Sequence, residues 1–341
     1  MLRGIFRRRS AAAGDAGELL PRLLENIEQF GLIRCPLVLI SQISRSGGTW
    51  VSQLFDHHPH VWAHPLELRI GSSRKWEWPG KWDWPKLSSV SDPQDAWHTL
   101  RYTKAQERFG AGAYYKGNDQ IHPMLFNVDI QRALFLRLAA NWTPSTDREW
   151  FNIYFTSFFS AWLDHQRRYG PKRYVTAFAS MLALAPASMA RFRQVYPDGW
   201  LISIIREPLG WYSSVKQHAS GSEKHKNLKK RRGREGAETA YLDNIQAIHD
   251  NRELFGERFV LVDYDALVSD TETTMRTLAA RIDLDWHPSL TRQTFNGMTI
   301  QPNTSFQGER AKNRASILTE EDVARINDGP MKAAYLTTRP R

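Results

Sequence analysis

Residues 36–50, Pro-Leu-Val-Leu-Ile-Ser-Gln-Ile-Ser-Arg-Ser-Gly-Gly-Thr-Trp, restrict this chain more than any other stretch. The apolar run from Pro36 to Ile43 reads as a short buried strand. It breaks into a Ser/Gly turn, and an amphipathic helix follows from Thr49 to His57, closed by His58-Pro59. Such a turn can aim backbone N–H groups, the positive end of a helix and nearby hydroxyls at one anion. Arg45, Ser46, Gly47, Gly48, Thr49 and Trp50 are therefore the first candidate binding residues.

A second stretch supports the first. Leu201 to Ile205 is an apolar run suited to an interior parallel strand, and it ends in Arg206. Pro208 fits the first turn of a following helix. Ser214 then falls about two helical turns in, where it can return toward the strand end. By itself this is also the pattern of a strand–loop–helix whose arginine pairs with a carboxylate. With the upstream turn it makes a second anion site, Arg206 supplying a charged fork and Ser214 a hydroxyl.

No G-x-x-x-x-G-K-[ST] can be laid over residues 36–50, so the first turn is like a P-loop without being Walker A. Its basic residue precedes the glycines. That order, Arg45-Ser46-Gly47-Gly48-Thr49, resembles the 5′-phosphosulfate loop of sulfotransferases that use 3′-phosphoadenosine 5′-phosphosulfate (PAPS). Arg206-Glu207-Pro208 with Ser214 is similar to their 3′-phosphate motif, with Glu207 where the family usually has Asp. The Arg-Ser-Gly variant, followed by Gln53-Leu54-Phe55 and His58-Pro59, looks most like the carbohydrate branch. Phe259 to Val268 with the helix after it, and Asn303-Thr-Ser-Phe306, extend the resemblance.

The resemblance implies a P-loop-like, three-layer α/β fold, a central parallel sheet with helices on both faces. It implies PAPS as co-substrate, no metal, and a hydroxyl or amine acceptor, with a glycan or glycolipid preferred. A C-terminal basic and glycine segment closes over the nucleotide in the family; Gly308, Arg310, Lys312 and Arg314 are the candidates for it here, Arg310 foremost, although they depart from the Arg-Lys-Gly pattern of the cytosolic enzymes.

Composition fits a polyanionic ligand. The 341 residues carry 46 Lys and Arg against 36 acidic residues, a formal charge of +10. Cys35 is the only cysteine, which excludes an internal disulfide and points to a reducing, cytoplasmic setting. Arg3, Arg7, Arg8 and Arg9 precede a mixed stretch rather than an apolar run, so no signal peptide is expected. That arginine-rich start reads as a solvated tail, with contact to an anionic bilayer surface left open. Tyr174 to Ala190 is uncharged but Ala-rich and broken by Pro186, and reads as strand, turn and helix start.

Strands and helices alternate along the chain, as in a parallel sheet covered on both faces. Expected helices are Gly17–Phe30, Pro93–Arg108, Val128–Tyr169, Ser188–Val195 and Thr271–Ile282; further strands are Val61–Ala63, Tyr174–Phe178 and Phe259–Val262. With no internal repeat or linker, residues 1–35 form a tail and helix and 36–320 one domain with an acceptor-side insertion at about 65–170. Residues 321–341 are expected as a tail.

Sulfuryl transfer resembles phosphoryl transfer, a loose in-line displacement governed by positioning and electrostatics. Arg45, the amides of 46–50 and Thr49 Oγ1 are suited to the charge that grows on the leaving 5′-phosphate. The acceptor needs a general base, for which His64, Glu67 and His122 are the candidates. No cluster at metal spacing is seen. Trp76, Trp78, Trp82 and Trp84 form either a platform for sugar rings or the packing of an irregular segment. The basic run Lys224–Arg234 is either a solvated loop or a lid that steers anions. Two rivals remain. A P-loop kinase or NTPase needs Mg²⁺ and an acidic strand-end ligand, and no clear Walker B Asp is recognised here. A non-catalytic basic module for nucleic acid or membrane leaves the spacing of Arg206 and Ser214 unexplained, so nucleic acid is not the expected partner.

Overall fold

The computed structural model describes residues 16–68, 84–100, 113–116, 120–220, 234–300 and 317–340. In chain order its elements begin with α1 (Ala16–Phe30), β1 (Leu37–Ile40), α2 (Gly48–Leu54), β2 (Val61–Glu67) and α3 (Pro93–Leu100). A hairpin follows, β3 (Ala113–Lys116) and β4 (Gln120–Pro123), then α4 (Val128–Trp142) and α5 (Asp147–Ala161). Next come β5 (Tyr174–Phe178), α6 (Pro186–Val195), β6 (Trp200–Ile205), α7 (Pro208–Ser220) and α8 (Arg234–Phe255). The chain continues through β7 (Phe259–Asp263), α9 (Tyr264–Ser269) and α10 (Thr271–Arg281) to the short pair β8 (Thr294–Phe295) and β9 (Met298–Thr299). It ends in α11 (Glu320–Asn327) and α12 (Pro330–Thr338).

These elements divide into two compact units, residues 1–34 with 85–168, and residues 35–84 with 169–341. The second holds a five-stranded sheet of order β2-β5-β1-β6-β7, every neighbouring pair parallel. Central strands need apolar side chains on both faces, and β1, β5 and β6 are buried at every position. On one face Val38, Ile40, Ile202, Ile204 and Val262 pack against Val51, Leu54 and Phe55 at α2 and Leu267, Met275 and Leu278 of α9 and α10. α8 and α6 pack together, and α8 also meets β6 and β7. The expected parallel α/β fold with surrounding helices is what the chain forms.

Two buried polar anchors fix the far end of α2. The Asp56 carboxylate accepts from Thr294 Oγ1 (2.7 Å) and Gly297 N (2.9 Å). His58 Nε2 donates to the Asp285 carbonyl (3.0 Å) while its Nδ1 accepts the His60 amide (3.2 Å). A carbonyl can only accept and an amide only donate, so the ring is neutral, and burial pushes its pKa down to about 4.

The first unit departs from the expected long helix over Val128–Tyr169. α4 stops at Thr143, which adopts a left-handed conformation before Pro144, and α5 restarts on a capping box of Thr146 and Glu149. Within α5 almost every side chain is buried, and Phe135 stacks on Trp150 at 5.9 Å. The helix begun at Pro93 is described as far as Leu100, and residues 101–108 lie outside the described ones. The stretch after 320, expected as a tail, forms two helices whose apolar residues Ile326, Met331 and Tyr335 are buried at helical spacing.

Candidate functional site

Because the sheet is parallel, the carboxyl ends of β1, β6 and β7 open on one edge. The turn after β1 is a tight one. Arg45 has φ 76° and Gly47, the N-cap of α2, has φ 100°, both in the left-handed region. Gly47 is required twice over, because a Cβ there would strike the Tyr264 ring. A Cβ on Gly48 would strike the Phe178 ring and the Gln42 amide. The amides of Trp50 and Val51 both bond to the Gly47 carbonyl (2.9 and 3.1 Å), which commits them to the helix. Trp50 instead places its ring edge-on to Tyr264, with centroids 5.6 Å apart.

The turn after β6 is held by side chains. Arg206, only 2% exposed, donates from Nη1 to the Arg45 carbonyl (2.9 Å) and lies 4.4 Å from the centre of the Tyr264 ring. Its own carbonyl accepts from Tyr241 Oη (2.7 Å). Glu207 receives Gly210 N on one oxygen (2.9 Å) and pairs with Lys332 Nζ through the other (3.0 Å). Asp265 accepts the Glu207 amide (2.8 Å), and Asp263 caps α9 by accepting Asp265 N (2.8 Å) while taking Tyr335 Oη (2.8 Å).

The two turns meet. Arg45 Nε donates to Ser214 Oγ at 3.1 Å across 169 residues of sequence. Arg45 keeps an open outer surface, yet surrounding loops desolvate it and the Arg206 charge opposes it, so its pKa is lowered. Burial lowers that of Arg206 too. The Arg206 charge therefore bears directly on Arg45, and both guanidiniums stand beside the glycine turn.

Arg45, Ser46, Gly47, Gly48, Thr49, Trp50, Arg206 and Ser214 thus share one edge of the sheet. His64 is 3% exposed and lies where the β2–β5 register shifts between Ala63 and Glu67. Glu67, paired with Phe178, ends β2, and β5 separates that strand from β1. His122 belongs to the first unit, where its backbone pairs with Tyr114; its side chain lies outside the described residues. So do Arg310 with Gly308, Lys312 and Arg314, the basic run 224–233, and Trp76, Trp78 and Trp82. Trp84 is buried against Phe192 at 5.1 Å and Tyr196 at 6.2 Å, a packing residue rather than a platform.

Sequence reasoning missed Tyr264, Tyr241, Asp263, Lys332 and Tyr335. Tyr264 and Asp263 sat in a strand–helix unit recognised only as a pattern. Lys332 and Tyr335 sat in an expected tail whose helical apolar spacing was the available signal. Among the described residues no group of three or more His, Cys, Asp or Glu can hold a metal ion. No described helix is long and apolar enough to cross a membrane.

The fold is thus a parallel α/β sheet surrounded by helices, with two hydrogen-bonded turns at its strand ends. The model of the sulfotransferase family matches residues 36–288, and the chain belongs to that family and is a sulfotransferase enzyme. Among solved structures it is similar to the sulfotransferase domain from the curacin biosynthetic pathway, at 14% identity and TM-score 0.45 over 86% of this chain and 96% of that one. The sulfotransferase domain of the Synechococcus PCC 7002 olefin synthase gives 15%, 0.44, 86% and 94%. Sulfotransferase STF9 from Mycobacterium avium gives 15%, 0.42, 95% and 84%. No curated protein sequence matches the chain.

Proposed function

We propose that this protein moves a sulfuryl group from PAPS to a hydroxyl or amine and releases adenosine 3′,5′-bisphosphate. The observation that carries this reading is the direct linkage of the two turns, Arg45 Nε to Ser214 Oγ and Arg206 Nη1 to the Arg45 carbonyl. A donor with anions at both its 5′ and 3′ positions matches two arginines held this close. Arg45 and Thr49 serve the 5′ end; Arg206 and Ser214 serve the 3′ phosphate. In the reaction the acceptor oxygen bonds to sulfur as the bridge to the 5′-phosphate breaks, and the electron pair leaves with that phosphate. Arg45 stabilises the charge as it grows there. A base at His64, Glu67 or His122 takes the hydroxyl proton. The lone Cys35 keeps a cytoplasmic setting in the reading. The glycan preference rests on the turn variant and on tryptophans of which Trp84 is buried and Trp76, Trp78 and Trp82 lie outside the described residues.

The test is thermal stability with adenosine 3′,5′-bisphosphate, 5′-AMP and ATP–Mg²⁺, paired with sulfuryl transfer by His64→Ala, Glu67→Gln and His122→Ala. The bisphosphate should stabilise most, without metal. One base variant should lose roughly two to four orders of magnitude in turnover while still binding it. Equal stabilisation by 5′-AMP removes the 3′ site, and preference for ATP–Mg²⁺ favours a kinase.

A further inference from the structure

A cavity of about 160 Å³ opens beside the residue that precedes Arg45. Ile43, Met181, Trp211, Val215, Ala237 and Ala240 give it an apolar lining. Its volume comes from α8, which presents Gly236, Ala237 and Ala240 where larger side chains would fill the space. Its walls are stiff. The Trp211 indole donates to the Ser44 carbonyl at 3.0 Å and packs on Tyr241 at 5.2 Å. Met181 sits in a left-handed turn, φ 71°, with its sulfur accepting the Ser44 amide at 3.4 Å.

Polarity is confined to two places. At one, Ser44 Oγ lies 3.0 Å from Ser180 Oγ, one residue from Arg45. At the other, Thr239 and Asp243, exposed and one helical turn apart on α8, form a rim. An apolar cavity near 150 Å³ accommodates benzene, so this one suits a single six-membered ring or a short alkyl chain. A sugar ring would bring several hydroxyls against Ile, Met, Val and Ala, each left without a hydrogen-bond partner.

We infer that this cavity holds the body of the acceptor, and that the acceptor is an alcohol or phenol whose hydroxyl is carried on a compact, uncharged apolar group of about one ring. The inference rests on the sulfuryl-transfer reading, because only a reaction at Arg45 makes the neighbouring cavity an acceptor site. The group packs against Trp211 and Val215 of α7 and Ala237 and Ala240 of α8, with its hydroxyl toward Ser44, beside the turn that holds the leaving phosphate. The hydroxyl oxygen bonds to sulfur, its proton passes to the base, and the bisphosphate departs with the electron pair of the broken bond.

The experiment uses the full chain loaded with adenosine 3′,5′-bisphosphate, with benzyl alcohol and methyl β-glucoside as probes in saturation-transfer NMR. A parallel assay follows transfer from ³⁵S-labelled PAPS. Benzyl alcohol should bind and be sulfated in preference to the glucoside. Ala240→Phe, which fills the cavity, should lower kcat/KM for benzyl alcohol at least tenfold while the bisphosphate still raises Tm as in the wild type. Val215→Ala should improve 2-naphthylmethanol relative to benzyl alcohol, which keeps the inference testable if the filled variant does not fold. Preferred binding of the glucoside, or benzyl alcohol binding unchanged by Ala240→Phe, overturns the inference even where the bisphosphate stabilises normally. Absence of that stabilisation instead overturns the transfer reading, and with it the acceptor role of the cavity.

Discussion

The two turns proposed to hold the donor's anions are built by different physical means. The turn after β1 takes bonds from Arg206 and Trp211 on its carbonyls but depends first on backbone shape: a left-handed Arg45, a left-handed Gly47, and glycines pressed against Tyr264, Phe178 and Gln42. The turn after β6 is held by side chains that arrive from elsewhere, with Tyr241, Asp265 and Lys332 each bonding to its backbone or to Glu207. A shape-held turn fails abruptly when a single atom is added. A side-chain-held turn loosens in steps, one hydrogen bond at a time. The difference also separates their proposed roles, in which the β1 turn faces the bond that breaks and the β6 turn holds a group that stays intact.

The largest effect should follow from adding one methyl group to the first turn. Gly48→Ala places a Cβ where the Phe178 ring and the Gln42 amide already sit. Such overpacking costs about 1–3 kcal/mol, and a misplacement of about 1 Å near reacting atoms is worth about a hundredfold in rate. We expect sulfuryl transfer to fall at least a hundredfold and Tm to drop measurably. A near-normal rate from Gly48→Ala would show that the turn is pliable and that the contrast between the turns is false.

Legibility in the sequence divides along the same line. The shape-held turn was readable because paired glycines between an apolar strand and a helix make a tight turn, and a tight turn there aims amides at an anion. Its companion was readable because Arg206, Pro208 and Ser214 stand at meaningful offsets. Tyr174–Phe178 was readable as a strand from its apolar run alone. What holds the second turn was not readable. A Tyr335 hydroxyl meeting Asp263 depends on a contact across 72 residues, which no local pattern encodes. The break at Thr143 was missed because apolar residues continue on both sides, although Pro144 and the Thr146–Glu149 pair were there to mark it. The acceptor cavity was invisible for a related reason: Gly236, Ala237 and Ala240 read as ordinary helix residues until their neighbours are in place.

An intermediate effect should come from the two arginines, and it sharpens the division of labour. Arg206→Ala removes the buried guanidinium from the β6 turn, so bisphosphate affinity should approach that for 5′-AMP; a charged hydrogen bond of about 1.5–3 kcal/mol corresponds to roughly ten- to a hundredfold. Arg45→Ala should leave the ratio of the two affinities nearly intact and lower kcat instead, since its charge matters most as the leaving group develops. Titration calorimetry with both nucleotides, beside steady-state rates, reads both effects. Matching changes in the two variants would mean that the turns form a single anion site rather than two.

The smallest effect belongs to the outermost support, and it tests whether the second turn loosens in steps. Tyr335 donates to Asp263, whose other oxygen caps α9 and so places Tyr264, the ring beneath Arg206 and beside Gly47. Burial first, and the Asp263 carboxylate second, raise the Tyr335 pKa, so its hydroxyl remains a donor through the neutral range. Tyr335→Phe keeps the ring and its packing and deletes only that bond. A hydrogen bond to a carboxylate is worth about 1.5–3 kcal/mol, but Asp263 keeps its cap on α9, so only part of that cost should reach the nucleotide. We expect bisphosphate affinity to fall two- to fivefold, affinity for 5′-AMP to change less, and kcat at saturating donor to stay near normal. A collapse of turnover in Tyr335→Phe would show that the C-terminal helix holds the reacting end as well. The β6 turn would then be as brittle as its partner.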